Sequence, residues 1–116
     1  MSLRIDMETV NDVLIVRLEG ELDHHTADML RTKMDRQLNE EPVQHVLLSL
    51  ANLHFMDSSG LGVILGRYKQ VAARGGEMVV CSINSVIYRL FELSGLFKIL
   101  KIKESEQEAL LVLGVA

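Results

Sequence analysis

The run Met56-Asp57-Ser58-Ser59-Gly60-Leu61-Gly62 sets two hydroxyls and a carboxylate at one junction in the chain. Before it lies the apolar run Val46-Leu47-Leu48-Ser49-Leu50. After it Leu61, Ile64, Leu65, Tyr68, Val71 and Ala72 recur at helical spacing. The serines therefore fall where a strand hands over to a helix. Free backbone N–H groups and the positive end of the helix dipole favour an anion at such a place. A phosphate on either serine would be tolerated by the fold, with helix-end amides to steady it, while the surface around it changed. Helix capping is the plainer use of Asp57, Ser58 and Ser59, and the residue types serve it equally well.

Other chemistries fit less well. A serine hydrolase needs Gly-x-Ser-x-Gly with its acid and histidine later in the chain. Ser58 is flanked at two residues by Met56 and Gly60, Ser59 by Asp57 and Leu61, and no histidine follows His54. No catalytic residue is expected. Gly60, Gly62 and Gly66 read Gly-x-Gly-x-x-x-Gly, which departs from the dinucleotide fingerprint, and the strand from Glu77 to Cys81 ends without an acid for a ribose. Gly62 and Gly66, four apart, predict instead a helix packed closely on the sheet or on another helix. His24 and His25 are adjacent and diverge, while His45 and His54 lack ligand spacing, so no metal site is expected.

Composition narrows the class. At 116 residues the chain predicts one domain, 1–116, with a core that needs neither disulfide nor metal. Aromatics are 4 % of the residues, so the core is aliphatic and little is left to stack on bases. The lone Cys81 excludes an intrachain disulfide and suits the cytoplasm. No signal peptide is read at Met1-Ser2-Leu3-Arg4-Ile5-Asp6, and no apolar run approaches the roughly 20 residues a membrane span needs. Residues 1–41 hold ten acids against five Lys and Arg, whereas residues 42–103 hold three against seven. The acidic first third argues against nucleic acid and permits a partner that carries arginine or lysine.

These residues must be positioned by a small set of elements. Residues 3–8 and 13–19 predict two strands joined through Val10-Asn11-Asp12, and Gly20 breaks the pattern. Asp23 is expected to cap a helix to about Asn39 with Ala27, Leu30, Met34 and Leu38 buried. A strand at about 44–50, a serine-capped helix at 58–73 and a strand from Glu77 to Cys81 follow, with Gly75-Gly76 ending the helix. Asn84 caps a short helix through Leu93, and a strand at 98–102 leads to a helix opened by Ser105-Glu106-Gln107-Glu108. This alternation predicts an α/β fold, a mixed and mostly parallel sheet of four to five strands with about four helices. If successive strands are neighbours, right-handed crossovers bring Gly20–His25, Met56–Ser59 and Ser82–Ser85 to one rim, where such sheets bind ligands.

The chain resembles the STAS domain, the module shared by anti-sigma factor antagonists and anion-transporter tails. Asp57-Ser58-Ser59-Gly60-Leu61-Gly62 carries the resemblance. The segments 20–26, 65–70, 75–81 and 93–98 extend it to the sporulation antagonists of endospore-forming bacteria, over essentially the whole chain. The resemblance implies a non-enzymatic switch that binds a dimeric anti-sigma factor, itself a serine kinase, and thereby frees the sigma factor. ATP, ADP and magnesium would belong to that kinase, so no cofactor is implied for this chain. The kinase would phosphorylate Ser58, the first serine of the motif, and a dedicated phosphatase would reverse it. Spacing and charge alone accept Ser59 as well. Glu21, Asp23, Asp57, Ser58, Ser59 and Gly60 are the implied partner contacts. No nucleic acid or membrane contact is expected, and the free protein is expected to be a monomer. The alternative is a STAS module that binds a nucleotide or anion at the same rim.

Overall fold

A computed structural model describes residues 2–115. Strands β1 (Leu3–Val10) and β2 (Val13–Leu22) form an antiparallel hairpin. Its turn uses Asn11 at φ 53°, a left-handed conformation that asparagine tolerates. Strands β3 (His45–Met56), β4 (Met78–Cys81) and β5 (Lys101–Lys103) follow in parallel, giving the order β1-β2-β3-β4-β5. The crossovers are α1 (Ala27–Glu40), α2 (Ser58–Ala73) and α3 (Ser85–Ser94), and α4 (Glu106–Val112) closes the chain.

Strand periodicity sends alternate side chains to opposite faces of the sheet. Leu14, Val16, Leu18, Val46, Leu48, Leu50 and Val80 meet Leu30 and Met34 of α1, Ile64 and Val71 of α2, and Ile87 and Phe91 of α3. Val13, Ile15, Leu47, Val79 and Cys81 face the other way, onto Ala109, Leu113 and Val115. Both faces of the sheet's centre are covered, so β4 and the stretches Val13–Val16 of β2 and Val46–Leu48 of β3 are apolar without a break. Arg17, on β2, holds α4 in place through Glu106 at 2.8 Å.

Several expectations hold closely. Helix α2 covers the predicted residues, and α1 buries Ala27, Leu30, Met34 and Leu38. Three strands run further than composition suggests, β1 by two residues to Val10 and both β2 and β3 toward the rim. Gly20 does not end β2, which continues to Leu22, and β3 runs six residues past Leu50 to Met56. The extensions of β2 and β3 pair with each other, Glu19 with Asn52, Gly20 with Leu53, Glu21 with Phe55 and Leu22 with Met56, across register shifts on either side of Glu19 and Gly20. They contain exposed polar residues, which hides their strand character. Gly20 sits at φ 110°, and a Cβ there would lie 2.4 Å from the Ser2 carbonyl oxygen, so a close approach of β1 requires the glycine. The last strand starts at Lys101, because Leu96–Lys98 form a 3₁₀ turn after Gly95.

Helix α1 begins at Ala27, four residues after Asp23, so Asp23 shapes the preceding turn and does not cap the helix. The reading of Gly62 and Gly66 is also corrected, since a Cβ at either would have open space around it. The close approach belongs to Gly60. A Cβ there would lie 2.7 Å from Leu22 Cγ, 2.8 Å from the Leu22 carbonyl oxygen and 2.9 Å from Met56 Cγ. Gly60 thus lets α2 start against the ends of β2 and β3.

This packing sets opposite signs for two substitutions. Gly66→Ala should raise stability by about 0.8–1 kcal/mol, the difference in helix propensity. Gly60→Ala should lower it by about 1–3 kcal/mol, since backbone and two side chains must move. Urea denaturation of the two variants checks this, and equal losses would contradict it.

Candidate functional site

The extended pairing of β2 with β3 delivers the Glu21–Thr26 turn and the Asp57-Ser58-Ser59 corner to the same place. The Asp57 N–H donates to the Leu22 carbonyl at 3.2 Å. Asp57, extended at φ −110°, caps α2 through Oδ1, which accepts from Ser59 N at 2.9 Å and Gly60 N at 3.2 Å. Its Oδ2 accepts from the backbone N–H of His24 at 3.0 Å, with His24 Nδ1 at 3.5 Å. One carboxylate therefore ties the helix start to the acidic turn 33 residues earlier. Burial opposes its ionisation, but the N–H groups of Gly60, His24 and Ser59 outweigh that and hold it below the ordinary carboxylate range.

The same geometry corrects the expectation that helix-end amides would steady an added anion. Ser59 N–H and Gly60 N–H are taken by the Asp57 carboxylate, and Leu61 N–H donates to the Asp57 carbonyl at 3.1 Å. Among the described residues, only the Ser58 amide of that first turn has no partner. The anion-binding end of α2 is already filled by the protein's own carboxylate.

The acidic turn is built as tightly. Thr26 Oγ1 donates to the Glu21 carbonyl at 2.8 Å and accepts from Asp23 N at 3.0 Å. Asp23 Oδ1 accepts from His25 N at 2.8 Å and Thr26 N at 3.1 Å. Asp23 is only 2 % exposed, and its Oδ2 has no partner among the described residues. Burial pushes its carboxyl up, yet the donors of His25 and Thr26 prevail and its pKa lies low. Asp23 therefore acts on this surface through the turn it holds, since its carboxylate points inward.

Ser58 is exposed, Glu21, Asp57 and Ser59 are half-buried, and Gly60 is buried beneath them. The loop before α3 reaches the same rim, where Asn84 Nδ2 donates to the Leu53 carbonyl at 2.6 Å while Oδ1 caps Ile87 N at 3.0 Å. Sequence reasoning places His24 on the rim without a role there and misses Thr26. Thr26 lies three residues after Asp23 and so has the spacing of a turn staple, but His24 joins the site through its backbone, which no side-chain pattern reveals. Among the described residues, no group of three or more His, Cys, Asp and Glu is placed to hold a metal. Cys81 is buried, and that burial pushes its thiol pKa up, away from the reactive thiolate.

Comparison with known proteins gives a consistent setting. The sequence profile described as the STAS domain matches residues 4–109. An anti-sigma F factor antagonist of Paenibacillus polymyxa is 56 % identical over 115 residues, covering 99 % of this chain and 98 % of that one. The Bacillus cell fate determinant SpoIIAA in its phosphorylated form is 30 % identical over 92 % of this chain and 96 % of its own, with a TM-score of 0.74. The anti-sigma factor antagonist SpoIIAA in its unphosphorylated form is 26 % identical over 93 % and 94 %, with a TM-score of 0.75. The two forms are thus about equally close to this backbone.

The shared carboxylate has a measurable signature. Asp57→Ala should cost about 1 kcal/mol at pH 7, as removal of an N-cap acid typically does. Because the folded-state pKa of Asp57 is depressed, its contribution is complete above the ordinary carboxylate range and is lost as pH falls through the folded-state value. The gap between wild type and variant in urea unfolding should close toward acid. A gap that stays constant with pH would show that the charge of Asp57 contributes nothing.

Proposed function

The chain belongs to the STAS domain family, and we propose that it is an anti-sigma F factor antagonist whose hold on its partner is set by phosphorylation of Ser58. It is a regulatory binding protein, not an enzyme. Its partner is an anti-sigma factor that is also a dimeric serine kinase and brings its own ATP and magnesium. The unphosphorylated protein engages that partner and frees the sigma factor, a dedicated phosphatase returns the phosphoprotein to that form, and the cycle runs in the cytoplasm. The whole chain, 1–116, works as one STAS domain and is a monomer when free.

The observation that carries this reading is the exposed Ser58 on a rim whose two halves are joined by Asp57. Exposure also favours Ser58 over the half-buried Ser59 as the acceptor. Glu21 and the turn held by Asp23 provide the acidic side of the contact, and Asp57, Ser59 and the buried Gly60 fix how Ser58 is presented. A phosphate adds about −1.5 to −2 charges at neutral pH. It would stand next to the Asp57 carboxylate, in a contact surface shaped for a neutral hydroxyl. Like-charge and desolvation penalties at such an interface reach several kcal/mol. About 3 kcal/mol corresponds to roughly a hundredfold loss of affinity. The rival nucleotide or anion site loses its motivation, because the amides that would cradle the ligand already hold Asp57.

The test uses the anti-sigma F factor of Paenibacillus polymyxa with ATP and magnesium, followed by phosphosite mapping and binding measurements. Label should appear on Ser58. Ser58→Ala should bind but take no label, and Ser58→Asp should fold normally and bind on the order of tenfold to a hundredfold more weakly. Label at a distant residue, or undiminished binding by Ser58→Asp, would sink the proposal.

A further inference from the structure

Between the end of β3 and helix α3 lies an apolar groove of about 410 Å³. Phe55 and Met56 form one wall, and Val86, Arg89, Leu90 and Leu93 the other. Helix α3 carries two apolar stripes. Ile87 and Phe91 are buried in the core, whereas Val86, Leu90 and Leu93, at i, i+4 and i+7, line the groove. Phe55, Val86 and Leu93 are 43 %, 56 % and 74 % exposed, which is costly for large apolar side chains clustered at one place. Asn84 fixes this wall, since its side chain bonds both the start of α3 and the Leu53 carbonyl of β3.

Chain geometry places the groove next to the phosphorylatable hydroxyl. Successive Cα atoms are about 3.8 Å apart, so the Phe55 Cα lies within about 11 Å of the Ser58 Cα. A protein interface of ordinary size covers about 800 Å² on each partner, a disc of roughly 16 Å radius. An enzyme that closes on Ser58 with such a footprint spans the distance to Phe55, which forms one wall of the groove. We propose that the groove receives an apolar side chain of the anti-sigma factor kinase and supplies the phosphorylation-independent part of its affinity. This inference rests on the function proposed above and adds a second, apolar anchor to it. The rim then acts as the switch and the groove as the hold, because a phosphate at Ser58 changes the charge of the rim and leaves the groove lining as it was.

The experiment titrates the anti-sigma F factor of Paenibacillus polymyxa against the full-length chain and three variants, Phe55→Ser, Leu93→Ser and Leu111→Ser. Leu111 is 60 % exposed on α4, the helix that covers the opposite face of the sheet, and so controls for the loss of any exposed leucine. Leu93→Ser and Phe55→Ser should each weaken binding about tenfold, the scale of an interface anchor, and Leu111→Ser by less than about twofold. Thermal unfolding is recorded for each, and Leu93, the most exposed of the groove's large apolar residues, decides the matter if Phe55→Ser is poorly folded. Unchanged affinity in Leu93→Ser would overturn the inference. So would sedimentation showing that wild type self-associates and Leu93→Ser does not, because the occupant would then be a second copy. A wild-type chain that neither binds the kinase nor is labelled at Ser58 would fail the underlying function, a result distinct from loss of the groove alone.

Discussion

The Asp57 carboxylate is the contact on which the rest of the rim depends. With one oxygen it satisfies two amides of the first turn of α2, and with the other it takes the His24 amide of the acidic turn. These bonds are charge-assisted, and each removes a backbone donor that would otherwise go unmatched. Two segments far apart in sequence become one rigid surface. Gly60 is the steric counterpart of the same constraint, since only the missing Cβ lets α2 begin so near Leu22 and Met56. A side chain at residue 60 would push the helix start, and Ser58 with it, away from the turn that the carboxylate holds.

The architecture beneath the rim serves to keep it still. Strands β2 and β3 continue past the apolar core as a paired ribbon, and their last partners are Leu22 and Met56. Both side chains are buried although the ribbon is otherwise partly exposed. Thr26 and Asp23 lock the turn that follows β2, while Asn84 locks the loop that precedes α3. Such preorganisation lowers the ordering cost that a partner would meet on binding. It also confines the effect of a modification to the surface, because no buried element has to repack around it.

Much of this was legible in the sequence, for identifiable reasons. Helix α2 could be read because its apolar residues recur at 3.6 spacing between a strong N-cap and Gly75-Gly76. The rim could be read because alternating strands and helices leave few topologies. The extension of β3 could not, since Asn52, His54 and Phe55 are exposed and break the apolar run that marks a buried strand. Only pairing with β2 explains them, and pairing is not a local property. The misread glycines have a similar origin. Spacing made Gly62 and Gly66 look like a packing face, whereas the close approach is made by Gly60, next to the cap. Asp23 shapes the turn before α1 and is not the helix cap that its residue type suggests, because a helix cap and a turn staple use the same residue type.

The filled helix end bears directly on how a phosphate would work as a switch. Were the first-turn amides free, a phosphoserine could fold back onto them and part of its charge would be neutralised by the helix dipole. With Asp57 already seated on Ser59 N–H and Gly60 N–H, that retreat is largely closed, and the added charge must project toward whatever approaches Ser58. A ligand or modification shifts an equilibrium only through the difference it makes between two states. Here that difference is concentrated where a partner would have to touch, and the fold itself contributes almost none of it. The carboxylate that builds the surface would therefore also keep a phosphate on Ser58 turned toward an approaching partner.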